Sequence, residues 1–377
     1  MCALGQKIRI LIVDESVFMR KALTMMLKSD PSITVVGAAR NGVECLEMAA
    51  ELKPDMITMD IEMPRMDGLT ALRQIMISEP TPVIMVSSVT TDGASATLDA
   101  LELGAVDFIT KDSAQHTDRA KMKDELLKKV RDIGNRRNII MTNLRRKGAR
   151  LKRASESDHP TRKSSAPPPI KATAPTTSPL PYVQPKRSHQ VSLIAIGTST
   201  GGPPTLKEII TQLPRNLPCG IVIAQHMPPT FTKSMAERLN SLSELSVKEA
   251  ESGEAIESGH VYVAPGGRHM ITQRHAMKGR LIITDKPEEA LYRPCVDLLF
   301  SSVARYYGAA SLGIILTGMG NDGLIGMREM KSKGAVAIAQ DAESCIVYGM
   351  PKAIVDDGLA DFILPSDRIA SEIAAYF

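Results

Sequence analysis

Apolar positions in this chain follow two rhythms. Runs of four to six aliphatic, often β-branched residues alternate with stretches in which apolar residues recur every three or four positions. The first pattern predicts buried strands and the second amphipathic helices. In the first third, strands are expected at residues 8–13 (IRILIV), 33–38, 56–59, 83–86 and 106–109. Helices are expected from Ser16, a natural N-cap, to about Leu27, then at 43–52, 69–77 and up to Leu103. Five such repeats predict a doubly wound parallel sheet. A helical stretch, 121–144, carries Leu126, Leu127, Val130 and Ile133 on one face.

The alternation resumes at Val191. Strands are expected at 191–196, 219–224, 247–250, 261–263, 269–272, 281–283, 312–316 and 336–339. Helices are expected after Pro203, at 230–239 and 296–307, and up to Lys331, with short helices finishing the chain. This reads as a second parallel α/β domain with a small antiparallel excursion. Between the halves, residues 148–190 are rich in Pro, Ser, Thr and Ala. Few apolar groups there offset the entropy of ordering, which predicts a tether with polyproline character. The organisation is therefore a domain at 7–130, a helical extension and linker at 131–190, and a domain at 191–377.

Composition changes this picture little. Of 377 residues 43% are hydrophobic but only 3% aromatic, with no Trp and 21 Met, so aliphatic packing must build both cores. Five scattered cysteines lack metal spacing and predict a reducing, cytoplasmic setting. No secretory pattern or bilayer-length apolar run is present. The net charge of +4 misleads, because residues 145–187 hold eleven Lys and Arg against Glu156 and Asp158. The positive charge belongs to the tether, the rest of the chain is net acidic, and no helix-turn-helix pattern follows the first domain. A nucleic-acid partner is not expected.

Functional groups of parallel sheets collect at the carboxyl ends of strands. In the first domain Asp14, Glu15, Asp60, Ser87 and Lys111 all fall there. Clustered carboxylates repel, and Mg²⁺ relieves this while keeping positions open for phosphate oxygens. These residues and the motif MDIEMPRMDG make the segment from residue 8 to about 130 resemble a response-regulator receiver domain of flavodoxin-like fold. The resemblance implies Asp60 as phosphoacceptor and Asp14, Glu15, Asp60 and the Glu62 carbonyl as Mg²⁺ ligands. It implies Ser87 and Phe108 as the switch pair and Lys111 as the phosphate-sensing lysine. Glu15 stands where the family usually has Asp, and Asp112 follows Lys111 where it usually has Pro.

The second domain opens with VSLIAIGTSTGGPPTLKEII, a strand, a glycine turn and a proline-started helix. Ser199 sits beside free helix N–H groups, a place that stabilises an anion. A plain βα turn, a phosphate loop and a nucleophile turn all fit residues 197–203. The nucleotide reading weakens because no G-K-[S/T] is present and the next strand ends in Gln225-His226 instead of an acid. Strand-end turns also supply His226 and Asp322. A serine hydroxyl needs a base, histidine suits that role, and a buried carboxylate orients the ring. This assigns Ser199 as nucleophile, His226 as acid–base, Asp322 as orienter, and the amides of Thr200 and Met319 as oxyanion donors. Each has a structural alternative as a cap or core residue. His260 also lies near a strand, His269 is a rival base and Asp297 a rival orienter.

The motifs GTSTGGP, AQHMP, VAPGGRHM, PCVDLLF, LTGMGNDG and YGMPKAI, spread over 191–377, resemble the catalytic domain of chemotaxis-specific protein-glutamate methylesterases. That family implies hydrolysis of γ-glutamyl methyl esters, and deamidation of selected glutamines, on the signalling helices of methyl-accepting chemoreceptors. It implies a histidine kinase as phosphodonor, no cofactor for the esterase step, and membrane contact only through receptors. The other reading is a non-catalytic, phospho-dependent binding protein with an anion-binding serine/glycine loop.

Overall fold

The structure, a computed structural model, describes residues 7–111, 116–157, 190–275 and 278–377. Cys2, Asp112 and the Pro-rich part of the linker lie outside the described residues.

The first domain runs β1 (Ile8–Val13), α1 (Val17–Lys28), β2 (Ile33–Ala39), α2 (Gly42–Leu52), β3 (Met56–Asp60), α3 (Gly68–Ser78), β4 (Val83–Ser87), α4 (Thr91–Leu103), β5 (Asp107–Thr110) and α5 (His116–Asn135). Its sheet has five parallel strands in the order β2-β1-β3-β4-β5. The expected alternation is therefore present. Ser16 caps α1 by accepting from the Met19 amide at 3.3 Å. β3 and β4 are buried along their whole length because helices cover both faces.

The helical extension departs from expectation. It is two helices, α5 and α6 (Arg137–Ser157), joined at Arg136, so residues 148–157 are helical and not part of the Pro-rich tether. Ile140 and Leu144 of α6 are buried against the first domain. Gly148 is there because a Cβ would lie 2.1 Å from the Met76 carbonyl oxygen of α3. Arg136 donates to the Ala342 carbonyl and Asn143 to that of Glu343, so this segment also touches the second domain.

The second domain runs β6 (Leu193–Thr198), α7 (Gly202–Ile210), β7 (Gly220–Gln225), α8 (Phe231–Leu242), β8 (Ser246–Glu249), β9 (His260–Val263), β10 (His269–His275), β11 (Lys278–Thr284), α9 (Val296–Tyr307), β12 (Ser311–Ile315), α10 (Leu324–Ser332), β13 (Val336–Gln340), α11 (Met350–Asp356), β14 (Phe362–Leu364) and α12 (Ser366–Ala374). Seven parallel strands take the order β14-β13-β12-β6-β7-β9-β8. The expected excursion is the antiparallel hairpin β10–β11. The expectation of helices alone at the chain's end missed β14, a three-residue edge strand too short to show a period.

Three adjacent central strands, β12, β6 and β7, set up the site. Thr198 pairs with Gln225, so Ser199 and His226 are the next residues out of the sheet at the same level. Their turns, and the one leaving β12, open on one edge.

The two domains share one apolar cluster, which includes Leu98, Leu101 and Phe108 of the first and Leu206, Phe231 and Leu239 of the second. The domains thus meet through buried apolar side chains and not through surface polar contacts alone.

Candidate active site and phosphoacceptor pocket

At the edge of the first sheet, Asp14, Asp60 and Lys111 come together. Lys111 Nζ lies 2.6 Å from Asp60 Oδ2 and 2.9 Å from Asp14 Oδ2. Burial pushes the Asp60 carboxyl up to about 6; the Lys111 ammonium pulls the other way, and the Asp14 charge adds to the rise. Burial also works to lower the Lys111 ammonium, but the two carboxylates outweigh it and hold it above its ordinary value. Glu15 and Glu62 are exposed. Among the described residues no group of three His, Cys, Asp or Glu side chains is placed to hold one ion. The carboxylates brought together here are those of Asp14 and Asp60, and two carboxylates fit Mg²⁺, which commonly takes one or two and keeps several waters. The expected Glu62 donor is its backbone carbonyl, on which side-chain exposure has no bearing.

Ser87 is fully buried, accepting from Thr97 Oγ1 at 2.8 Å and donating to the Gly93 carbonyl at 3.2 Å. Phe108 is also buried, and its ring stacks on Phe231 of the second domain at 4.7 Å and 13°. Lys129 donates to the Phe108 carbonyl at 2.5 Å and pairs with Asp107 at 3.2 Å.

At the edge of the second sheet, His226 Nε2 and Asp322 Oδ2 are 2.7 Å apart. Asp322 also accepts from the Val296 amide on Oδ2 (2.8 Å) and from the Asp297 amide on Oδ1 (2.9 Å), both at the start of α9. Burial works to raise the Asp322 carboxyl, but His226 and these amides outweigh it and hold it below the usual carboxylate range. The other imidazole nitrogen, Nδ1, is buried without a hydrogen-bond partner. A buried ring nitrogen in that state is suited to accept a proton from a hydroxyl brought to it.

Ser199 lines the same cavity as His226, Thr200 and Met319; its volume is about 560 Å³. The Gln225 side-chain amide donates to the Ser199 carbonyl (2.9 Å) and the His226 carbonyl (3.1 Å), tying the two turns together. Gly318 lets the β12 turn approach, since a Cβ there would lie 2.9 Å from Ser199 Cβ and 2.3 Å from Met350 Sδ. The Ser199 amide donates to Thr317 and that of Gly318 to Val347, so these two are committed elsewhere. Asp297 does not reach the imidazole, and His269 is buried with Nε2 on the Pro287 carbonyl at 3.3 Å. His260 lies on β9, against the Ser258 carbonyl.

Several residues at the site had no sequence signal. Tyr292 stacks on the His226 ring at 4.3 Å and 9°, and its hydroxyl accepts from Lys128 of α5 at 3.0 Å. Asp107 accepts a short hydrogen bond (2.5 Å) from Thr200 Oγ1 across the interface. Farther out, Arg238 pairs with Asp99 and Glu102, and Lys207 with Glu102. The first domain thus lies over the Ser199 turn with its α4-β5-α5 face. Charged partners across an interface cannot be found by local pattern, because each is an ordinary surface residue of its own domain.

Comparison with known proteins bears on both halves. Residues 194–373 match the CheB methylesterase family and residues 10–123 the response regulator receiver domain. A protein-glutamate methylesterase/protein-glutamine glutaminase of Oleidesulfovibrio alaskensis is 47% identical, covering 97% of this chain and 98% of that protein. One from Lawsonia intracellularis is 46% identical with the same coverage. The solved catalytic domain of Thermotoga maritima CheB methylesterase is 43% identical, covering 49% of this chain and 97% of that one, with a TM-score of 0.48.

The raised Asp60 carboxyl has a stability consequence. The folded pocket binds a proton more tightly than the unfolded chain, so this group's contribution to stability falls as pH rises from about 4, its unfolded value, through about 6. Asp60→Asn is expected to remove that part of the dependence. Urea midpoints of the first domain's transition should favour the variant increasingly from pH 4.5 to 7.5.

Proposed function

Because the chain belongs to the CheB methylesterase family of response regulators, we propose that it hydrolyses glutamate γ-methyl esters, and deamidates selected glutamines, on the signalling helices of chemoreceptors, under control of phosphorylation at Asp60. The observation that carries this reading is the 2.7 Å hydrogen bond between His226 and a buried Asp322, in the cavity that Ser199 lines. A merely anion-binding serine loop has no use for a carboxylate held against its histidine.

In this reading Ser199 Oγ attacks the ester carbonyl carbon while His226 Nδ1 takes the hydroxyl proton. Asp322 on Nε2 fixes the tautomer and stabilises the imidazolium. The amides of Thr200 and Met319 receive the oxyanion. His226 then protonates the departing methoxide, and methanol leaves a glutamyl ester on Ser199. Water, deprotonated by His226, attacks that ester and frees the glutamate carboxylate and the serine. With a glutamine, ammonia leaves in place of methanol.

The unphosphorylated receiver blocks this chemistry by standing on it. Asp107 holds Thr200, and Phe108 packs on Phe231. The phosphoryl group would come from a cytoplasmic histidine kinase. Asp14 and Asp60 would hold Mg²⁺, which shields phosphoryl charge, and Lys111 and Ser87 would meet the modified Asp60. Loss of the Lys111–Asp60 pair would re-aim the β4 and β5 ends and loosen Phe108. A bias of a few kcal/mol between closed and open arrangements suffices for control.

Three outcomes test this. Ser199→Ala should lower methanol release from methylated receptor membranes by about a thousandfold or more, with unchanged circular dichroism. A small phosphodonor with Mg²⁺ should stimulate the parent and leave Asp60→Asn unstimulated in the same assay. Asp107→Ala should raise unstimulated hydrolysis about 2- to 10-fold, the range expected for losing one interface hydrogen bond.

A further inference from the structure

Asp297, the second residue of α9, plays no part in the chemistry above, yet it is tied to Asp322 from two directions. Its amide donates to Asp322 Oδ1 at 2.9 Å, and its own Oδ1 accepts from the amides of Gly323 (2.9 Å) and Gly326 (2.8 Å). Asp322 thus caps α9, while Asp297 caps α10. The two helix N-termini exchange carboxylates. Chain direction closes the arrangement into a ring, because Gly323 is the residue after Asp322. The ring needs close approach: a Cβ on Gly326 would lie 2.5 Å from Phe300 Cβ and 2.7 Å from the Asp297 carbonyl.

We propose that Asp297 is a positioning residue for hydrolysis, its carboxylate anchoring the Asp322 turn so that Asp322 Oδ2 stays on His226 Nε2. This rests on the roles assigned above to Ser199, His226 and Asp322. Helix N-termini favour negative charge, and two of them are needed because two carboxylates meet here. Burial, with the Asp322 charge beside it, pushes the Asp297 carboxyl up to about 6, against the pull of the Gly326 and Gly323 amides. The other groups facing the pair are few. Cys295 donates its thiol to Asp322 Oδ1 at 3.3 Å, and burial pushes that thiol up to about 12, so it stays neutral. Arg328 of α10 feels the Asp297 charge, and His269 of β10 that of Asp322.

The test compares Asp297→Asn and Asp297→Ala in the full chain, with Ser199→Ala in parallel. Asparagine keeps an acceptor for the two amides but no charge; alanine keeps neither. Alanine should lower kcat at least tenfold with KM within about twofold, and should lose the low-field proton resonance of the His226–Asp322 hydrogen bond. Asparagine should keep that resonance and most of kcat, rescuing what alanine loses. An unchanged kcat and an intact resonance in the alanine variant would overturn the proposal. Should the alanine variant not fold, Asp297→Ser, whose shorter hydroxyl does not span to both amides, takes its place, and an unchanged kcat and resonance in it overturn the proposal. The resonance reports on the ring whatever ester is cleaved, so an active Ser199→Ala would sink the assigned chemistry and leave the positioning claim to be judged on the resonance.

Discussion

Both halves of this protein depend on one constraint of parallel sheets. Every strand enters from the same side, so the turns that leave the sheet crowd onto one edge with free helix amides beside them. Asp14, Asp60 and Lys111 meet there in the first domain, and Ser199, His226 and Asp322 are gathered on one edge in the second. The adjacency of β12, β6 and β7 is what matters in the second case, because it brings three turns widely separated in sequence within reach of one another.

The same carboxylate chemistry is treated in opposite ways at the two edges. Asp60 is buried beside another acid with one ammonium to share, and its carboxyl is raised. Asp322 is also buried, but an imidazole and two backbone amides more than offset the cost, and its carboxyl is lowered. A raised acid is the more basic, and so the stronger nucleophile, once it is ionised. A lowered one suits a group whose charge must persist while a neighbouring ring gains and loses a proton.

Between the edges, the interface mixes two kinds of contact. The Arg238 and Lys207 pairs with Asp99 and Glu102 are partly exposed, and pairs of that kind contribute about 0–1 kcal/mol each. The stacked Phe108 and Phe231 are buried, and burying a Phe side chain contributes about 1.5–3 kcal/mol. Apolar packing and the buried Thr200–Asp107 hydrogen bond, of a kind that contributes about 1.5–3 kcal/mol, therefore outweigh the partly exposed ion pairs. Because Phe108 follows Asp107 on the strand that leads to Lys111, the stacked pair is linked through β5 to the Asp14–Asp60–Lys111 pocket.

Much was legible in the chain alone. The βα alternation, both parallel sheets and the strand-end location of Asp60, Lys111, Ser199, His226 and Asp322 follow from local periodicity, because a buried parallel strand must be an apolar run and must end in a turn. What periodicity lacks is a third dimension. β14 was too short to show a rhythm, and 148–157 looked like linker because its helix is held by Ile140 and Leu144 packing upstream. Tertiary structure alone decided that Asp322 and not Asp297 takes the imidazole, and that it does so at Nε2, leaving Nδ1 unpaired. It alone set Tyr292 on that ring and Asp107 on Thr200. These are contacts between residues about 60 to 100 positions apart, each unremarkable in its own segment, and only the packing of sheet edge against sheet edge selects among them.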